Sequence, residues 1–471
     1  MPKMLGLVGV LAFFGAGPVV AQGLQFGFAK RVITPPLADS PVYMAGFEQN
    51  RRATGVHDDL YVRCVAVGDG RTRLALVSAD LIGFFLDDTE KTRALLKTTA
   101  ADATLVVAST HNHEGPDTMG MWGPNRIQTG RDPVYMEALR RNVAEVAAEA
   151  LGHLTPASLA LAKTTTPGLI EDGRLPRVID DSLVVLQAKG ADGRTLGTVV
   201  NWNSHPEALG GKNTLITADY PHYLIGRIEE ALGGTTVFFN GSIGGLMSAM
   251  GVKLTDISGN AIPEETFEHA QAIGERAAGK ALEALRSARA SASSTVSYRS
   301  ARVRVPLENG YFRLAYGFGI FERPLTTRGQ PDPRRAPFGI GGQPVSLPLG
   351  EDLETEIGHI RLGDAEILAV PGEIYPELVI GGIQEPQEAA ADFLGAPKEA
   401  PLKGLMTAEF RMIFGLANDE IGYIIPRSEW DERPPFAYGR EETQYGEMNS
   451  VGPGVAPALA QAYADLLKRR P

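Results

Sequence analysis

Val106-Val-Ala-Ser-Thr-His-Asn-His-Glu-Gly-Pro116 runs from an apolar, β-branched stretch straight into two histidines one residue apart, then into a Gly-Pro turn. A run of this kind bounded by turn residues reads as a buried strand. Imidazoles in the loop at a strand exit can converge on one site, one as metal ligand and the other as acid/base group, although paired loop histidines can also be simply solvated. The same grammar occurs twice more. Gly197-Thr-Val-Val-Asn-Trp-Asn-Ser-His-Pro206 is a strand that delivers His205 at its exit, and Ile367-Leu-Ala-Val-Pro-Gly-Glu373 ends in a tight turn that presents a carboxylate. In α/β sheets such strand ends form the ligand crevice. Two neutral imidazoles and one carboxylate are a ligand set for catalytic zinc, which keeps a further position for water or substrate. Taken singly, His205 could cap a core and Glu373 could be a solvated turn residue.

Around these exits the pattern alternates between short β-branched runs and helical periodicity. Residues 74–78, 105–108, 183–186, 198–201 and 236–239 all read as buried strands. Asp132 and Pro133 form an N-cap and first-turn pair, followed by Leu139, Val143, Val146 and Ala150 at helical spacing. Residues 264–285 and 456–467 are further helix candidates, so the class is α/β. The Ser- and Ala-rich stretch 287–294 is the one linker-like shift in composition. Beyond it come an extended run, 296–305, and a hairpin over 358–370 that turns at Gly363-Asp364. Because chemically suggestive residues occur on both sides, the linker reads as a loop joining two sheets of one domain. Residues 310–349 are rich in Gly, Pro, Arg and aromatics with little periodicity, which suggests a long functional loop, a lid or an insertion.

The 471 residues are 44% hydrophobic and 21% charged, ample for a large core. With 45 basic against 56 acidic residues the net charge is −11, and no Lys/Arg stripe appears, which argues against nucleic acid as a partner. Residues 1–21 read as a signal peptide: Lys3, an apolar stretch too short to span a bilayer comfortably, then small residues ending at Ala21. The expected product is a periplasmic or secreted chain from residue 22 with no transmembrane segment. The single cysteine, Cys64, lies in a strand pattern as a small buried hydrophobe and can form no intrachain disulfide.

Several blocks, in order, resemble those of neutral/alkaline non-lysosomal ceramidases. They are Phe28-Ala-Lys-Arg-Val-Ile-Thr-Pro-Pro36, Met44-Ala-Gly-Phe47, Gly55-Val-His57, Val77-Ser-Ala-Asp-Leu81, Thr110-His-Asn-His-Glu-Gly-Pro116 and Asn201-Trp-Asn-Ser-His205. The resemblance runs from about residue 26 to the C-terminus, and its most specific part is the Thr-His-x-His-x-Gly-Pro block. It implies a catalytic domain of two packed, mostly β sheets flanked by helices. It also implies Zn2+ held by His111, His205, Glu373 and Tyr423, the last at the end of Asn418-Asp-Glu-Ile-Gly-Tyr423. On the same resemblance His113 is the acid/base histidine. Arg174, in Gly173-Arg-Leu-Pro176, is the substrate-positioning arginine, and Tyr445 stabilises the oxyanion.

Gly244-Gly-Leu-Met247 stands where the family has Gly-Asp-Val-Ser, whose serine has been proposed as a nucleophile. Met247 takes the serine's place and Ser248 lies one position beyond, so zinc-activated water is the expected nucleophile. The family's additional C-terminal β-sandwich has no counterpart here, Glu114 adds a charge within the histidine block, and residues 310–349 carry several arginines. These departures suit a polar or anionic substrate better than ceramide. The expected activity is hydrolysis of an amide, N-acyl bond in a small-molecule or lipid-like acyl substrate. An esterase, lactonase or carbohydrate-directed hydrolase on the same scaffold, or a non-catalytic metal-binding exported protein, are the rival readings.

Overall fold

Every β-branched run named above becomes a strand, because each is covered on both faces and so needs no polar alternation. The structure, a computed structural model, describes residues 23–38, 40–340 and 343–468; the leader-like segment 1–21 lies outside the described residues. The large sheet contains, in chain order, β1 (Gln25–Val32), β2 (Tyr61–Gly68), β3 (Arg73–Ala79), β4 (Thr104–Ser109), β5 (Thr155–Thr165), β6 (Ser182–Gly190), β7 (Thr195–Trp202) and β8 (Thr235–Asn240), with the short strand Arg289–Ala290 on β5. Its spatial order is β8-β7-β6-β5-β1-β2-β3-β4. The end pairs β7/β8 and β3/β4 are parallel and the pairs between them antiparallel.

The small sheet is built from β9 (Val296–Pro306), β10 (Leu325–Thr327), β11 (Asp352–Leu362), β12 (Ala365–Ala369) and β13 (Phe410–Phe414), with Gln330–Pro331 pairing at its edge on β10. The expected hairpin forms between β11 and β12, where Leu362 faces Ala365 across Gly363 and Asp364. Gly363 adopts φ +57°, a conformation that favours glycine, and a Cβ there would meet Ser291 Oγ at 2.4 Å. The next pair, β12/β13, is parallel.

The two sheets face each other over a shared core in which Val65, Leu76, Val106, Leu161 and Leu186 meet Ile360, Ile367, Met412 and Phe414. Phe239 of β8 stacks on Phe414 of β13 with ring centroids 3.9 Å apart. Helices cover the outer faces. The large sheet carries α1 (Leu86–Leu96), α2 (Pro133–Gly152), α3 (Tyr220–Leu232) and α4 (Phe267–Leu285). On α2 the Asp132 carboxylate caps Val134 and Tyr135, and Leu139, Val143, Val146 and Ala150 form its buried face. The small sheet is covered by α5 (Gly310–Gly317) and the C-terminal helix Val455–Lys468. No described helix is long and apolar enough to cross a membrane.

The stretch 310–349 is more ordered than its composition suggests. Asn309 caps α5, whose Phe312 and Tyr316, four residues apart, enter the core together with Ile320 and Phe321. Arg335–Ile340 and Gln343–Pro348 pair as a hairpin. Eight residues of helix are too few to produce a readable periodicity. Arginines of this stretch are engaged within the protein. Arg313 donates to the carbonyls of Leu307 and Gly350, Arg323 pairs with Asp419, Arg334 pairs with Asp332, and Arg335 donates to the carbonyls of Tyr316 and Ser346.

Candidate metal centre

β4, β7 and β12 each belong to a parallel pair, and the loops that leave their C-terminal ends meet at one place, where the loop after β13 joins them. After β4, Thr110 N donates to Ala79 O and Asn112 N to Leu81 O, which carries His111 across the end of β3 at φ +65°. A non-glycine residue in the left-handed region is held there by its surroundings. Here His111 Nδ1 lies 2.7 Å from Ile82 O. Asn240, at the end of β8, binds Thr110 O and Ser204 O through its amide and so ties the His111 loop to the His205 loop.

His205 is fully buried, with Nδ1 2.9 Å from Met247 O. Both imidazoles therefore set Nδ1 against a backbone carbonyl and turn Nε2 to the inner side, the nitrogen that a metal would take. Glu373 stands between the two inward nitrogens: its Oε2 is 2.9 Å from His205 Nε2 and 3.3 Å from His111 Nε2. In a tetrahedral zinc site with bonds near 2.1 Å, neighbouring ligand atoms are about 3.4 Å apart. The spacing and donor chemistry fit such an ion. Tyr423 is the parallel-bridge partner of Glu373, so the short strand pair Glu373–Ile374 and Tyr423–Ile424 sets the two side by side. Burial and the nearby Glu373 carboxylate push the Tyr423 hydroxyl well above its ordinary range.

His113 completes the group. The ligand atoms of His111, His113 and His205 all lie within 4.8 Å of one another, so this buried triad could hold a metal ion. The backbone fixes His113 by its N–H to Pro206 O and by its carbonyl, which accepts from the buried Arg51 guanidinium. Its ring is clamped by Gly46, where a Cβ would fall 2.3 Å from the imidazole, and by the edge-on Phe47. Burial and the neighbouring His111 and His205 keep this imidazole well below its usual pKa, and hence neutral. Burial also opposes charge on His205, but Glu207 and Glu373 outweigh it and hold that imidazole up at about 9. The centre thus favours positive charge between its two carboxylates.

The remaining expected residues lie on one flank. Tyr445 stands edge-on to Tyr423 with ring centroids 5.8 Å apart, and its hydroxyl accepts from Asn449 Nδ2. Burial of that hydroxyl and the charge of Glu373 raise it, so it stays protonated and able to donate. Arg174 is buried and committed: its two terminal nitrogens bind Glu447 at 2.6 and 2.8 Å, and they also reach Tyr445 O and Glu429 O. The guanidinium therefore holds the loop that carries Tyr445 rather than pointing free into the centre. Glu114 is likewise committed within the protein, since its buried carboxylate is bound by Arg51 and Asn213. Sequence reading missed Arg51, Asn240, Glu447 and Glu207, whose carboxylate lies 3.4 Å from His113 Nδ1.

No family model matches the chain, and no curated protein matches it. Among solved structures it is similar to a neutral ceramidase from Pseudomonas aeruginosa, with a TM-score of 0.69 and 18% identity over 95% of this chain and 74% of that one. It is equally similar to a ceramidase complexed with C2, at the same TM-score and identity over 95% and 75% of the two chains. The likeness is one of fold: the α/β architecture of two packed sheets flanked by helices is that of the ceramidases.

Proposed function

We propose that this chain is a zinc-dependent hydrolase that cleaves the amide bond of an N-acyl substrate with water as nucleophile. The observation that carries the reading is the Glu373 carboxylate held between the inward Nε2 atoms of His111 and His205, with Tyr423 beside it. These four residues would hold the ion, which supplies a Lewis acid for the scissile carbonyl and a water of lowered pKa. His113, neutral and next to the ligands, takes a proton from the attacking water and passes it to the leaving nitrogen. The protonated Tyr445 hydroxyl donates to the developing oxyanion, a contact that typically contributes about 3 kcal/mol when well placed. Arg174 positions Tyr445 through Glu447 and the Tyr445 carbonyl.

Two of the sequence features that pointed away from a lipid-like substrate lose their force, because Glu114 is paired inside the protein and the 310–349 arginines named above are engaged. The rim beside Tyr445 is apolar instead. Leu175, which exchanges hydrogen bonds with the Gln444 side chain, is 37% exposed, Tyr445 48% and Met448 51%. An aliphatic acyl group suits such a rim. The leader-like segment 1–21 further supports export to the periplasm or the medium.

The test is metal analysis of the purified chain together with a hydrolysis screen over N-acyl lipids, simple amides, esters and lactones. Stoichiometric zinc with amide turnover that is lost on chelation is the expected result. Turnover of esters or lactones alone would move the assignment to the rival activities on the same scaffold.

A further inference from the structure

His113 and Glu207 face each other across two loops that the backbone locks together. The His113 N–H donates to Pro206 O at 3.0 Å, and this places the carboxylate of the very next residue 3.4 Å from His113 Nδ1. Both side chains are more than nine-tenths buried. Among the described residues neither buried ring nitrogen of His113 has a hydrogen-bond partner, which leaves the Glu207 carboxylate as the charged group set against Nδ1, while Gly46 and Phe47 leave the ring little room to turn. The other two imidazoles give Nδ1 to backbone carbonyls; His113 alone of the three gives it a carboxylate.

We infer that Glu207 is a positioning residue for His113, accepting the Nδ1 proton and so holding the imidazole with Nε2 bare toward the attacking water. The inference rests on the hydrolase reading for its catalytic consequence, but the pairing itself can be tested without turnover. In the amide reaction one water proton moves to His113 Nε2 as the new C–O bond forms. The same proton then goes to the leaving nitrogen as the C–N bond breaks, releasing an amine and a carboxylic acid. Glu207 neither gains nor loses a proton. Its charge favours the transient imidazolium, and its hydrogen bond fixes which nitrogen does the work. This carboxylate arrives from the loop after β7 that also carries His205, so metal content is read alongside every Glu207 variant.

The experiment combines ring 15N NMR of the full, zinc-loaded chain with kinetics of Glu207→Gln and Glu207→Asp. The His113 signals are assigned by their disappearance in His113→Gln. The expected wild-type ring carries its proton on Nδ1, and Glu207→Gln shifts that resonance while zinc content is retained. Its kcat falls about 10–100-fold with KM nearly unchanged, the range typical of losing an orienting partner. Glu207→Asp, which restores a carboxylate, recovers part of kcat. A wild-type His113 protonated on Nε2, or 15N signals and kcat both unaltered in Glu207→Gln, would overturn the assignment. So would loss of zinc in Glu207→Gln, since Glu207 would then act through the metal site. If no substrate is turned over, the hydrolase reading fails while the NMR result still decides the pairing. If Glu207→Gln does not fold, the wild-type tautomer and Glu207→Asp decide it.

Discussion

His205 Nε2 lies 2.9 Å from Glu373 Oε2, a contact between residues 168 positions apart that joins the exit of a large-sheet strand to the exit of a small-sheet strand. The two sheets are held together by a core of aliphatic and aromatic residues, and their parallel edge pairs end at one point. Neither sheet alone carries the centre, so the ligand geometry is a product of sheet packing. A metal bound there would stabilise the packed state over any state in which the sheets separate.

His111→Ala and His205→Ala are expected to lose zinc and activity together, because each removes one of the nitrogens next to Glu373. Loss of a ligand should weaken zinc at least about 100-fold. The check is metal content after dialysis against a weak chelator. Full occupancy in either variant would remove both residues from the ligand set.

Much of this centre is legible in the sequence because its parts sit at strand exits. The runs before His111, His205 and Glu373 are continuous β-branched stretches that strands require, and a histidine or carboxylate straight after one is a local signal. Tyr423 gives no such signal; only its bridge to Glu373 places it, and resemblance alone could suggest it. Glu207 was illegible for a different reason. It follows a proline, belongs to no periodic element, and meets His113 only because two loops far apart in sequence share the bond from His113 N to Pro206 O. Arg174 differs again: resemblance alone suggested it as a substrate-positioning arginine, and the pairing of its guanidinium with Glu447, 273 positions away, has no local signal.

His113→Gln should keep its zinc and lose roughly 10²–10⁴-fold in kcat, the span usual for removing an acid/base group. The reason is that His111, His205, Glu373 and Tyr423 remain in place while the proton carrier is gone. Loss of zinc in this variant would make His113 a ligand, as the close approach of the three imidazoles also permits, and the proton-transfer role would have to move elsewhere.

Ser248→Ala is expected to stay within about twofold of wild-type activity. The Ser248 hydroxyl accepts from Met250 N and no base among the described residues is bonded to it, so it lacks there the partner that activates a serine nucleophile. A drop of several orders of magnitude with metal retained would restore a covalent mechanism.

Asp172, buried beside Arg174, has its carboxyl raised to about 6 by burial, which the N–H groups of Arg174 and Val178 only partly offset. Between about pH 4 and 6 the folded chain keeps this proton while the unfolded chain releases it, so the contribution of Asp172 to stability falls as pH rises through that window. The loss amounts to about 3 kcal/mol and is complete above pH 6. Denaturant unfolding at pH 4 and pH 7 should therefore show the stability of wild type relative to Asp172→Asn decreasing by about that amount. A difference independent of pH would mean that the carboxyl titrates alike in the folded and the unfolded chain.

The last prediction concerns the acyl group. Leu175, Tyr445 and Met448 expose apolar surface on the two segments that Arg174 and Gln444 hold together, next to the hydroxyl assigned to the oxyanion. Apolar surface at the edge of a reactive centre discriminates by chain length at about 0.8 kcal/mol for each methylene buried. Catalytic efficiency should therefore rise from N-acetyl to longer N-acyl amides of one amine, roughly fourfold for each methylene the rim covers, and a short-chain ceramide should outperform polar amides of similar size. Met448→Asp and Leu175→Asp should flatten this series by raising KM for the longer chains while leaving the N-acetyl compound and the zinc content unchanged. A wild-type series that is flat from the start, or best for polar amides, would mean that the acyl group binds elsewhere and that the exposed side chains of this rim take no part in choosing the substrate.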